Sequence, residues 1–176
     1  MLKPVDLYVL SGLLALPGPA GWASASEQAW TQALLAAALY LPQAAVSRAM
    51  QRLEEVALVD RKQRTVRRSA AEGLLLHGVP YLLPVRLGPP TRGVWTVHAE
   101  PLRDALVGDG AYVWPDEEGD DVGVAFAPLH AAVPRAARAH PSLHVFLALV
   151  DAVRVGRVRE RALAAQALRE RISRRA

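Results

Sequence analysis

Three side chains between Leu41 and Val56 are spaced as hydrogen-bonding chemistry on one helix face requires: Gln43, Ser47 and Gln51 stand at i, i+4 and i+8. Arg48 and Arg52 flank them. A guanidinium can grip guanine with two donors, a glutamine amide can pair with adenine, and a serine hydroxyl serves a base edge or a phosphate. Directly downstream, "RKQRTVRR" brings together Arg61, Lys62, Arg64, Arg67 and Arg68. Such a run adds affinity for a polyanionic backbone without reading its sequence. Taken alone, either segment reads more plainly as a solvated surface. Their order, a polar helix and then a basic tip, points to a duplex-binding surface.

Those residues need elements to hold them. The opening "MLKPVDLYVLSGLLALPGPAGWASA" has the basic start, apolar run and small-residue ending of a secretory signal. Asp6 interrupts that run, and Pro17 and Pro19 close it early. The favoured reading is an amphipathic helix over Pro4–Leu16, with Val5, Val9, Leu13 and Leu16 on one face. A Pro/Gly-rich loop follows, and Ser24 or Ser26 is placed to cap a second helix ending near Leu39. Pro42 starts a third helix, to about Val56, whose inner face is Val46, Ala49, Met50 and Leu53. "ALVDRKQRTVRRSA" reads as a short hairpin with a basic tip, and Ser69–His77 as a further helix.

Three helices and a basic hairpin make the plan of a winged helix-turn-helix, predicted here for residues 1–76. Residues 77–176 read as a partner-binding or dimerisation region. Its proline-rich beginning predicts loops, with short strands at "YLLPVRL" and "GVWTVHA", and "AYVWPDEEGDDVGVAF" predicts two strands around an acidic turn. A long helix, about 142–172 and capped by Ser142, carries an apolar stripe from Leu143 to Ile172, with Gly156 as a kink point. That length exceeds the usual helix of about 11–12 residues, so the stripe predicts self-association through Leu147, Val150, Val158 and Leu168. The alternative is a helix folded back on its own core. The predicted fold class is α+β, mainly α, with an N-terminal winged helix-turn-helix, a loop-rich segment with short strands and a long C-terminal helix.

The segment "WTQALLAAALYLPQAAVSRAMQRLEEVALVDR" resembles the winged-helix core of MarR-like bacterial transcriptional regulators, whose pattern runs S-x-V-S-R-x-[LM]-x-R-L-E-x-x-G-L-[VI]. Val46, Ser47, Arg48, Met50, Arg52, Leu53, Glu54, Leu58 and Val59 stand at its positions. Tyr40 and Ala57 depart from it, each where glycine is usual. A positive φ at either would cost a non-glycine residue of order 1 kcal/mol. The second half, with "HGVPYLLP", "PPTRGVWTVHAEPL", "VWPDEEGDDVGVAFAPLHAAVPRAA" and "LHVFLALVDAVRVGRVRERALA", is similar to the C-terminal part of small bacterial winged-helix proteins. Genes of that group stand beside AbiEii-like nucleotidyltransferase toxins, so the resemblance implies an antitoxin-type regulator.

Composition narrows the alternatives. The formal net charge of +4 arises in residues 1–93, which hold 10 basic and 6 acidic groups, while residues 94–176 hold 11 of each. A modest excess beside one helix suits a local nucleic-acid patch. The absence of cysteine excludes disulfides, thiolate zinc sites and a cysteine nucleophile, and suits a reducing cytoplasm. "HAE" at His98 to Glu100 resembles the H-x-E of zinc deaminases, whose partner motif needs cysteine. His77, His98, His130, His140 and His144 are too scattered for a metal motif, and Asp116 to Asp121 lack calcium-loop spacing. Ser11 and Ser47 sit in no nucleophile elbow, and no phosphate-binding glycine loop occurs. No apolar run reaches the ~20 residues of a membrane span.

The sequence-based expectation is a cytoplasmic, sequence-specific DNA-binding regulator of repressor type. It is expected to act as a homodimer on double-stranded DNA, without catalytic activity, metal or cofactor. The alternative is an antitoxin-type module that neutralises a cognate toxin protein and autoregulates its operon.

Overall fold

The first helix, α1 (Pro4–Ala15), is buried on nearly every side. Leu7, Tyr8, Val9, Leu10 and Leu13 have almost no solvent exposure, and Leu16 joins them just beyond the helix. The expected amphipathic helix is therefore a central one, because α3, α7 and α8 pack around it and leave no wet face. The computed structural model describes residues 1–16, 31–63, 65–97, 102 and 111–173. The Ser24 and Ser26 caps, Arg64, and the His98–Glu100 motif lie outside the described residues.

α2 (Gln32–Ala38) starts at Thr31, whose hydroxyl accepts the Leu34 N–H at 3.2 Å. It closes tightly on α1 at Gly12, where a Cβ would lie 2.9 Å from Leu39 Cδ1. α3 (Gln43–Glu55) buries Val46, Ala49, Met50 and Leu53, the four residues its periodicity marks as inner. β1 (Val59–Asp60) and β2 (Thr65–Val66) pair antiparallel, Val59 opposite Val66. Asp60 Oδ1 ties the turn by accepting the Lys62 and Gln63 N–H groups at 3.0 and 2.9 Å. α4 (Arg68–Gly73) passes through a π-turn at Leu74–Gly78 into α5 (Val79–Leu82). Pro80 has no N–H to close an ordinary α turn there. The division expected at residue 76 falls inside this helical run, and one cluster of buried residues extends from Leu7 to Ile172.

β3 (Leu87–Trp95), β4 (Tyr112–Pro115) and β5 (Asp121–Phe126) close on one another. β3 runs antiparallel to both others, so β4 and β5 pair parallel, Tyr112 opposite Val124. Arg138 pairs with two acids of the turn between them, 2.7 Å from Glu118 and 3.3 Å from Asp116. The expected strand at "YLLPVRL" is instead α5 and irregular chain up to Leu87. α6 (Val133–Ala139) then leads into α7 (Pro141–Val155), whose first residue is Pro141, with His140 rather than Ser142 at the cap position.

A buried carboxylate fastens this sheet to α7. Asp151 accepts from Trp114 Nε1 at 2.7 Å, Thr96 Oγ1 at 3.0 Å and Arg154 Nη1 at 2.7 Å. Burial pushes its pKa up from the ordinary carboxylate value, opposed by Arg154 and the other donors. Its proton-linked contribution therefore favours the fold in acid and fades as pH rises through the folded-state value. Next to Thr96, buried Val97 is held at φ 53°, a strained conformation for a β-branched residue.

The long helix expected over 142–172 is two helices, α7 and α8 (Val158–Ser173). Gly156 ends α7 in extended backbone, at a place where a Cβ would strike the Ala152 carbonyl. Glu160 Oε2 then accepts the Arg157 N–H at 2.8 Å and starts α8. α8 folds back along α7 and reaches α1 and α4. The expected dimerisation stripe is consequently spent inside the chain: Leu147, Val150 and Leu168 are in the core, while Val158 is 90% exposed at the turn. Leu168→Ala should accordingly lower unfolding free energy by about 2–5 kcal/mol in denaturant titrations. Val150→Glu with Leu168→Glu should abolish the cooperative unfolding transition and native circular dichroism, rather than release folded monomers.

Candidate nucleic-acid interface

With Val46, Ala49, Met50 and Leu53 turned inward, the geometry of α3 sends its polar residues out. Gln43, Arg48 and Gln51 are exposed and Ser47 is half-buried. Among the described residues none of their side chains has a hydrogen-bond or ion-pair partner. Their polar groups are left to water or to a ligand. The acidic residues of α3, Glu54 and Glu55, stand in its last turn, away from Gln43 and Ser47.

Arg52 does not share that role. It lies on the other flank of the buried stripe from Gln43 and meets Asp6 of α1, with Nε 2.8 Å from Oδ2 and Nη2 2.5 Å from Oδ1. Asp6 is fully buried and also accepts the Lys3 N–H at 2.7 Å, at the start of α1. The hydrogen bonds to Asp6 raise the pKa of Arg52 further, against the opposing effect of burial. The expected base or phosphate contact is corrected to a forked internal ion pair, because a buried carboxylate demands a partner.

The hairpin cations divide in the same way. Lys62 and Arg67 are exposed and their side chains meet no described partner, while Arg61 makes a long, wet pair with Glu54 at 3.5 Å. Arg68 is half-buried and donates to the Ile172 carbonyl at 2.6 Å, which ties α4 to the end of α8. Arg68 thus has a structural use that the charge run did not reveal.

Both turns that frame α3 adopt left-handed backbone, φ 51° at Tyr40 and 58° at Ala57, the two positions where the MarR-like pattern has glycine. Ala57 donates to Glu54 O and Leu58 donates to Leu53 O, which closes the helix and turns the chain into β1. At the other end the Leu39 carbonyl accepts the Tyr8 hydroxyl at 3.0 Å, so α1 fixes the turn into α3. Burial, and secondarily the neighbouring Tyr40, push the Tyr8 pKa up, and the phenol stays protonated.

Among the described residues no cluster of three His, Asp or Glu side chains could hold a metal ion. His130 stacks on Tyr8, and His144 contacts the Trp95 carbonyl at 2.6 Å. Comparison with protein-family models, curated proteins and solved structures finds no match.

Two outcomes test this geometry. Arg52→Ala strands the Asp6 charge and should cost about 3 kcal/mol in denaturant unfolding at neutral pH, more than Asp6→Asn combined with Arg52→Ala. Ala57→Gly removes backbone strain at an exposed site and should raise stability by about 1 kcal/mol in the same titration.

Proposed function

We propose that this chain is a sequence-specific DNA-binding regulator of repressor type, built as a winged helix-turn-helix in which α2 and α3 form the helical pair and β1–β2 the wing. The single observation that carries this reading is the outer face of α3. It presents Gln43, Ser47, Arg48 and Gln51, is followed along the chain by the exposed Lys62 and Arg67, and holds its acids to its last turn. A reading helix needs unsatisfied donors and acceptors near its start, where side chains meet base edges in the major groove. The left-handed turns at Tyr40 and Ala57 support the resemblance at the two positions where residue types depart from it.

Binding as a two-fold dimer on half-sites one helical turn apart is part of this proposal. Because Leu147, Val150 and Leu168 are interior, the contact between protomers would use other surfaces. The antitoxin-type reading draws support from one local feature: Tyr81, Leu82 and Leu87 are all exposed, with Tyr81 84% accessible. Large apolar side chains so close in sequence suit a protein partner better than a duplex.

Selection of duplexes from a random pool tests the first reading directly. Enrichment of a defined motif by the purified protein is expected, and enrichment of nothing overturns it. On the selected motif, Arg48→Ala should weaken binding by about 1–3 kcal/mol and relax preference at one base pair. Equal binding by parent and variant, on selected and random duplexes alike, would assign the reading role elsewhere.

A further inference from the structure

Tyr40 sits in left-handed backbone where glycine would be unstrained, yet its ring is occupied. The guanidinium of Arg135, from α6, lies 4.3 Å from the ring centroid. Both residues are exposed. An aromatic face orients a guanidinium without cancelling its charge. Among the described residues, no carboxylate stands within ion-pair distance of Arg135. Other arginines are treated differently: Arg138 on the same helix is paired with Asp116 and Glu118, and elsewhere in the chain Arg52 is paired with Asp6, Arg154 with Asp151 and Arg169 with Glu72. Arg135 is thus an oriented, exposed and uncompensated cation, held between two fixed elements.

Its position suggests a use. Tyr40 stands two residues before Pro42, the cap position of α3, and Gln43 opens the polar outer face. The hairpin cations follow the opposite end of that helix, so Arg135 extends the basic surface past its beginning. A duplex that receives α3 in its groove runs its backbones past both ends of the helix, where cations contact phosphates and fix register.

We propose that Arg135 is a phosphate-contacting residue of the duplex interface, supplied by the second half of the chain, and that Tyr40 holds its guanidinium in place. The inference rests on the DNA-binding reading. It explains why an aromatic residue occupies a strained turn, and it makes α6 part of the binding surface.

The test measures affinity for a short mixed-sequence duplex across a series of salt concentrations. Arg135→Ala is expected to weaken binding several-fold for all sequences alike and to lower the slope of log affinity against log salt by about 1. Arg135→Lys should restore most of the slope, since a phosphate reads charge. Tyr40→Gly should lose affinity several-fold with an unchanged or higher melting temperature, and Tyr40→Phe should bind as the parent does. A parent that binds, together with an Arg135→Ala variant equal to it in affinity and slope, overturns this placement alone. Full binding by Tyr40→Gly overturns the role given to the ring. A parent without duplex affinity at any salt concentration overturns the DNA-binding reading itself, and this inference with it.

Discussion

The carboxylate of Asp6, buried in a helix that has almost no wet face, is the constraint on which the rest of the first half depends. A charge removed from water needs a partner of opposite sign with matched geometry, and the forked pair with Arg52 supplies one. Because Asp6 sits in the first turn of α1 and Arg52 in the last turns of α3, the pair fixes α3 in rotation about its own axis. Gln43, Ser47, Arg48 and Gln51 are thereby set at the surface. Tyr8, two residues after Asp6, fixes the entry to α3 through the Leu39 carbonyl.

The second half repeats the same physics. Asp151 is buried on α7, and its donors come from Thr96 just past β3, from β4 and from its own helix, so one carboxylate holds a small closed sheet against the helical core. Arg154 also donates to the Leu83 carbonyl at 3.2 Å and covers the Phe126 ring, drawing in the segment after α5 and the end of β5. α8 then returns across α7 to the first half, through Arg169 to Glu72 and Arg68 to the Ile172 carbonyl. The two halves are in this way joined by side-chain contacts as well as by one buried core.

Periodicity made α3 legible residue by residue. Its inner face, its start after Pro42 and the hairpin that follows all depend on contacts within a few positions of one another. The glycine positions of the MarR-like pattern were legible too, since left-handed backbone is a local requirement that persists at Tyr40 and Ala57 despite their side chains. Less legible was the division of labour among the arginines. Arg48 and Arg52 look alike in the chain, and only Asp6, 46 positions away, makes one structural. A signal did exist, because a lone acid in an apolar run such as "PVDLYVLSGLL" must be paired if the run is buried. Arg135 offered no such signal.

The sequence by itself determined the mainly helical α+β character, the polar face of α3, the basic hairpin and the absence of thiol chemistry, because each follows from composition or from spacing within one element. Tertiary structure alone decided where the C-terminal stripe is buried. A run of apolar residues states that a face must leave water, but not whether a second chain or the same chain covers it. Gly156 and the Glu160 cap turn α8 back, and that reversal spends Leu147, Val150 and Leu168 on the chain's own core. The choice of partner for each buried charge was tertiary for the same reason: Coulomb attraction acts through distance in space, and folding sets that distance only after every helix has been placed.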